Sequence, residues 1–378
     1  MASKDADELL KEAIKEERPV QYLETGDVGL DLALTDGKGL PIGSSVLLWA
    51  TPGVGKTTVV GDLCKRLIAN YSTKKEPFKV LYIDTEDSTG LLSSLGLDKY
   101  KKSKDFIHLR KQLCWRQIEG IYNAILNKEP VWGDIKVVVI DSVGNVLSDQ
   151  NVKNSIADGD YGTRARERSS FYSKFLPRCK EEGVSTFLIS QARQKQNAGM
   201  YEDPNKPAVS NVDLHNVDII IKCTSKNNTT DASKIEETTI FGTDKVASKY
   251  IMVMDSKATG CKNRYIKGHA VELMVEKGKK IHNYYTVRKM LEGNKFLKAS
   301  GGWYTFSKEI CEGFGIPDSK LRVGAANKIV DEHIGELIAF LKKVGKYKVG
   351  LEEVEVPVTE EDLKEKAVET ENGESANE

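Results

Sequence analysis

Val46-Leu47-Leu48-Trp49-Ala50-Thr51-Pro52-Gly53-Val54-Gly55-Lys56-Thr57 decides the fold of this chain. An apolar run reads as a buried strand, and a Gly-rich turn ending in Gly-Lys-Thr directly after it is how proteins hold a triphosphate. Glycines let backbone N–H groups converge on the β-phosphate, Lys56 bridges the β and γ oxygens, and the Thr57 hydroxyl is placed to ligate Mg²⁺. The stretch implies ATP or a near relative as ligand, with Ala50, Thr51, Pro52, Gly53, Val54, Gly55, Lys56 and Thr57 around its phosphates. Ala50 stands where the strict pattern has its first glycine. The spacing predicts a helix from Thr58 to about Tyr71, its positive end facing the phosphates.

Outward from that turn, apolar strands alternate with helical segments. Strands are expected at 46–49, 80–84, 137–141, 186–190 and 217–223, with helices around 115–127 and 164–182. Such alternation predicts an α/β fold with a mostly parallel sheet covered on both faces. Ligands on these sheets sit at the carboxyl ends of strands. Three polar groups fall there: the phosphate turn, Asp84-Thr85-Glu86 and Asp141-Ser142; Gln191 follows the strand ending at Ser190.

Phosphoryl transfer to water needs a metal near the β and γ oxygens, a carboxylate that orients the water, and cations that absorb developing charge. Asp141, closing Val137-Val138-Val139-Ile140-Asp141, is the candidate that holds Mg²⁺ with Thr57. Glu86 is the candidate base. Gln191 is placed to hydrogen-bond the γ-phosphate and report its loss to the segment beginning at Ala192.

The 378 residues carry 56 Lys+Arg and 56 Asp+Glu, but the charge is unevenly spread. Leu351–Glu378 holds 11 Asp/Glu and 2 Lys, so the rest of the chain has a net charge of +9. A basic body with an acidic tail fits a polyanion partner and an electrostatic mimic of it. A solubilising, disordered tail fits the same composition. No apolar run approaches a membrane span, and the charged N-terminus lacks a secretory pattern, so the chain is expected in the cytoplasm, the host's if its origin is viral. Cys64, Cys114, Cys179, Cys223, Cys261 and Cys311 are scattered without a close pair, against a zinc ribbon or disulfide framework.

Asp5–Arg18 places Leu9, Leu10, Ala13 and Ile14 at helical spacing before Pro19. Its stripe docks either on its own body or on a neighbouring subunit. Two polar segments interrupt the regular pattern, Ser148–Tyr161 and Ala192–Asp213, and loops of that length are functional or disordered. A small α/β domain is expected over 276–348, containing Gly301-Gly302-Trp303-Tyr304 and a helix near 325–343.

Several strings follow one another along the chain: Glu24-Thr25-Gly26-Asp27-Val28-Gly29-Leu30-Asp31, Gly39-Leu40-Pro41-Ile42-Gly43, Ile83-Asp84-Thr85-Glu86, Ile140-Asp141-Ser142-Val143, Tyr161-Gly162, Ile189-Ser190-Gln191, and Gly302-Trp303-Tyr304 with Gly324-Ala325-Ala326-Asn327. Their order resembles the RecA-type recombinases, in their bacterial and phage branch. The resemblance spans roughly Tyr22 to Leu341. It implies a RecA-type ATPase core over 25–275, an N-terminal oligomerisation helix and strand over 1–24, a small C-terminal domain over 276–348 and an acidic tail over 349–378. It also implies that Lys56, Thr57 and Thr58 bind phosphates and Mg²⁺, Glu86 activates water and Gln191 couples nucleotide to DNA.

DNA-binding loops are implied at 148–161 and 192–213, with Arg166, Ser169, Arg193 and Lys195 as DNA contacts. Arg164, Arg166, Arg168, Lys174, Arg193 and Lys195 agree physically, since they give cations beside polar loops; a solvated helix face reads the same way. Family members form helical filaments on single-stranded DNA with ATP between subunits, so Val20–Leu23 is expected to add a strand on the neighbour. Where the family has two lysines reaching the neighbour's γ-phosphate, Asp255-Ser256-Lys257 keeps only Lys257. The second loop shows Val209-Ser210-Asn211-Val212 in place of a glycine pair.

The implied activity is a DNA-dependent ATPase that pairs single-stranded DNA with homologous duplex and exchanges strands. The alternative is an ATP-binding paralogue that regulates a recombinase without exchanging strands. A ring helicase on the same core is a third reading, weakened by the lack of a helicase-type N-terminal domain.

Overall fold

A computed structural model describes residues 19–149, 161–194, 205–226, 249–344, 346–349 and 352–355. The expected helix Asp5–Arg18, the interior of both expected DNA-binding loops and the tail beyond 355 lie outside the described residues.

The large sheet runs in space as Lys280–His282, Ala270–Glu276, Lys249–Asp255, Ile219–Lys226, Ser45–Ala50, Ser185–Gln194, Ile135–Asp141, Lys79–Asp84 and Phe106–Arg110. From Ile219–Lys226 to Phe106–Arg110 the neighbours are parallel. The other three strands continue it antiparallel. The central strands read as unbroken apolar runs because both faces are covered. Val46, Leu48, Ala50, Val80, Tyr82, Val137 and Val139 face one core, packed under the helix Lys56–Tyr71. Their alternates Leu47, Trp49, Leu81, Ile83, Val138 and Ile140 face the other, under Trp115–Leu126 and Tyr161–Glu181.

The expected mostly parallel α/β sheet is therefore the observed one. Phe106–Arg110, an edge strand that carries His108 and Arg110, has too polar a pattern to be read from sequence. The expected helix near 325–343 is two helices, Val323–Glu332 and Ile334–Val344, separated at His333.

Tyr22–Leu23 pairs antiparallel with Leu40–Pro41 of the same chain. Ile42 N–H also donates to Gln21 O at 2.9 Å. One edge of the strand expected to reach a neighbouring subunit is thus paired within this chain. The sheet also passes the expected boundary at 275, because Ala270–Glu276 forms a hairpin with Lys280–His282. Beyond it, Leu297–Ser300, Trp303–Phe306 and Leu321–Arg322 make a separate antiparallel sheet. Gly301 and Gly302, at φ 58° and 80°, form the two-residue turn between its first strands, which demands left-handed backbone. Glu352–Glu355, inside the expected acidic tail, pairs with Lys346–Val349 as a short hairpin.

Candidate active site

Parallel order brings the carboxyl ends of Ser45–Ala50, Ser185–Gln194, Ile135–Asp141 and Lys79–Asp84 side by side. Register aligns Ala50 with Gln191, and Asp84 with Asp141. The helix after the phosphate turn begins at Lys56, two residues earlier than expected, with Gly55 as its cap. Gly55 has φ 98°, and a Cβ there would stand 1.9 Å from the Tyr250 hydroxyl. That hydroxyl donates to Val54 O at 2.8 Å, so the antiparallel extension of the sheet braces the turn.

Lys56 is 8% exposed, and its Nζ donates to Ala50 O and Thr51 O, both at 3.1 Å. Burial pulls its ammonium below the usual lysine range, against the opposing fields of the Cys223 thiol, Asp141 and Glu86. The Thr57 hydroxyl donates to Asp141 Oδ2 at 2.8 Å, and the buried Tyr82 hydroxyl donates to the same oxygen at 2.7 Å. Thr58 sits in the first turn of the same helix. Its side chain is buried, and its hydroxyl accepts from Gly278 N–H at 3.3 Å.

Asp141 is 1% exposed, and its Oδ1 has no hydrogen-bond partner. Burial lifts its carboxyl to about 6, helped by Glu86 and Asp84 and opposed by Tyr82 and Thr57. A buried carboxylate oxygen left unpaired beside a threonine hydroxyl supplies the hard oxygen donors that Mg²⁺ takes. The residues present therefore fit the ion that the phosphate turn implies. When bound, it neutralises charge on the β and γ oxygens.

Asp141→Asn tests that arrangement. The folded carboxyl holds its proton more tightly than the unfolded one, whose ordinary value is 3.8. The wild type therefore loses stability as pH rises from there through about 6. In metal-free buffer at pH 8, the variant is expected to be more stable by on the order of 2 kcal/mol and to lose Mg²⁺-dependent ATP binding. Equal denaturation midpoints at pH 5 and pH 8 in both proteins would count against a strained carboxylate.

Glu86 Oε1 accepts from Ser142 Oγ at 2.5 Å, Asn145 Nδ2 at 3.3 Å and Gln191 Nε2 at 2.9 Å. The strand ends are stapled by Thr85, whose N–H donates to Asp141 O at 2.7 Å while its hydroxyl accepts from Ser142 N–H. Asp84 accepts from Glu86 N–H, Ser88 N–H and His108 Nε2. Burial works to raise the Asp84 carboxyl, but the His108 and backbone hydrogen bonds outweigh it and hold it below its ordinary range.

The structure thus joins Lys56, Thr57, Asp141, Glu86 and Gln191 around one turn. Sequence reasoning missed Tyr82, Asn145 and His108, and placed Ser142 at a strand end without a role. Tyr82 offered one signal: a tyrosine facing a parallel-sheet core must place its hydroxyl on a polar partner.

A family model described as RecA N-terminal domain matches residues 5–246, well over half of the chain. The chain belongs to the RecA family. It is similar to Protein RecA of a Nitratiruptor species, 28% identical over 198 residues, covering 52% of this chain and 53% of that protein. Protein RecA of Kineococcus radiotolerans is 27% identical over 179 residues, covering 47% of each. The chain spans about half the length of these curated relatives. No helix among the described residues is long and apolar enough to cross a membrane.

In this RecA-family chain, the residues expected to meet DNA have different fates. Arg166 and Arg193 are exposed. Lys195 lies outside the described residues. Ser169 Oγ donates to Asp213 Oδ1 at 2.5 Å. Arg168, 7% exposed, pairs with the same carboxylate at 2.7 Å. It therefore leaves the cationic surface, because a buried carboxylate requires its charge. The expected second loop is partly ordered: Ala192–Gln194 pairs with Asn205–Pro207, and Asn211–Asn216 is helical. Lys257 is exposed, and its backbone N–H donates to Asp255 Oδ1 at 2.9 Å.

Proposed function

We propose that this protein is an ATP-dependent DNA recombinase, forming helical filaments on single-stranded DNA and exchanging strands with homologous duplex. ATP and Mg²⁺ occupy the phosphate turn, Glu86 activates water, and Lys257 reaches the nucleotide of an adjoining subunit. The observation that carries this reading is the hydrogen bond from Gln191 Nε2 to Glu86 Oε1. It links the candidate base directly to the strand that runs into the 195–204 segment, beside exposed Arg193.

ATP's γ-phosphate offers Gln191 a stronger acceptor than a carboxylate already holding Ser142 and Asn145. Moving the amide to phosphate frees one lone pair on Glu86 and shifts the backbone that approaches DNA. In the other direction, DNA bound beside Arg193 repositions Gln191, and with it Glu86. The coupling is reciprocal, as linkage demands of binding equilibria.

ATP turnover with and without single-stranded DNA tests it. Stimulation of roughly tenfold or more, about 1.4 kcal/mol in barrier, is expected. The logarithm of DNA affinity should fall with the logarithm of salt at a slope of about −0.7 for each neutralised phosphate, with little dependence on sequence. Turnover indifferent to DNA would overturn the assignment.

The single Lys257 in Asp255-Ser256-Lys257 favours a second reading, a regulatory paralogue with ATP binding but no strand exchange. Asp255 caps the turn, accepting from the N–H groups of Lys257 and Ala258. One cation here in place of two stabilises less transition-state charge. Joint-molecule formation by the purified protein alone separates the readings.

A further inference from the structure

Phe106–Arg110 is the outer edge of the parallel sheet, two strands beyond Ile135–Asp141. Register sets His108 opposite Tyr82, whose ring it meets edge-on at 6.2 Å. The His108 side chain is 6% exposed, and its Nε2 lies 2.9 Å from Asp84 Oδ2. Asp84 closes the turn that carries Glu86. Its Oδ1 accepts from Glu86 N–H at 3.1 Å, and its Oδ2 accepts from Ser88 N–H at 2.8 Å. Asp87, between them, has φ 59°, a left-handed conformation that a non-glycine residue holds only when its surroundings fix it.

We propose that His108 is a positioning residue for Glu86, acting through Asp84. This deepens the reading of Glu86 as the base and rests on it. The carboxylate of Asp84 is buried, so each of its oxygens must find donors from the protein. His108 fixes Oδ2 from the sheet edge, which fixes the carboxylate plane and aims Oδ1 at the Glu86 amide. Without that third donor the carboxylate turns about its own bond, and the Glu86 backbone loses its anchor. The Glu86 side chain would then sit displaced from the attacking water, while Lys56 and Thr57, on the helix Lys56–Tyr71, stay in place. His108 is also among the residues along a groove at the sheet edge, with Lys79, Lys104, Ile107 and Val131. One residue thus stands between the molecular surface and the turn that carries the base.

Full-length His108→Leu and His108→Gln separate positioning from simple space filling. Glutamine places an amide nitrogen the same number of bonds from Cβ as Nε2; leucine fills the volume without a donor. Measured with saturating single-stranded DNA, His108→Leu is expected to lower kcat about tenfold, since small misplacements cost this much or more. Its KM for ATP should stay within about twofold, because phosphate contacts shared by ground and transition states are untouched.

Amide exchange at Glu86 and Ser88 should quicken about tenfold in His108→Leu, as expected when a native hydrogen bond opens more often. His108→Gln should recover most of both effects. The proposal is overturned by His108→Leu leaving exchange at Glu86 and Ser88 unchanged, or by His108→Gln failing as badly as His108→Leu while melting like the wild type. Should the wild type turn over no ATP, the reading of Glu86 as base fails. The exchange comparison would still decide whether His108 holds the turn.

Discussion

Lys56→Ala is expected to abolish ATP turnover and every ATP-dependent step of assembly on DNA. The ammonium is already desolvated, held by Ala50 O and Thr51 O at the mouth of the turn. A triphosphate offers this buried charge a far better partner than two carbonyl oxygens, and the gain grows as negative charge shifts on the reacting phosphoryl. Loss of such a preorganised cation costs roughly 10³-fold in rate, about 4 kcal/mol. The fold should survive, since truncation relieves a burial penalty and removes no hydrogen bond to an acid: Asp141 Oδ2 keeps Tyr82 and Thr57. Nucleotide titration, turnover and circular dichroism on one preparation check this. A folded variant with wild-type ATP affinity would mean that phosphates bind elsewhere.

Glu86→Gln should separate binding from hydrolysis. The variant keeps a carbonyl oxygen for Ser142, Asn145 and Gln191, so the strand ends remain joined, but it loses the base. General-base losses run to about 10²–10⁴-fold in kcat. ATP affinity should move little because Lys56 and Thr57 are intact. Under the proposed function, complexes with single-stranded DNA should then outlast those of the wild type in ATP, because hydrolysis would be the step that loosens them. A kcat within a few-fold of wild type, with nucleotide still bound at Lys56, would show that another group orients the water.

Much of the site was legible because its chemistry lies at strand ends. A run such as Val137–Ile140 has to be buried, so the first acid after it, Asp141, must sit where the strand leaves the core. The same logic places Glu86 and Gln191. Spacing says nothing about direction on a helix flanked by segments of unknown path. Arg164, Arg166 and Arg168 look alike in sequence, yet Arg168 turns inward to Asp213, 45 residues away. Ser169 is engaged by the same acid. Nor does spacing reveal that the Thr58 hydroxyl meets Gly278, 220 residues later.

By itself the sequence determined a phosphate turn, an α/β alternation and the acids that close its strands. These depend on local physics: apolar runs seek burial, glycine permits left-handed backbone, and polar residues end buried strands. Tertiary structure alone decided that Tyr82 meets Asp141, that Ser142, Asn145 and Gln191 meet on one oxygen of Glu86, and that His108 meets Asp84 in the turn beneath it. Those contacts are set by the order and register of strands far apart in the chain. A hydrogen bond reaches about 3 Å, and only packing brings such residues within it.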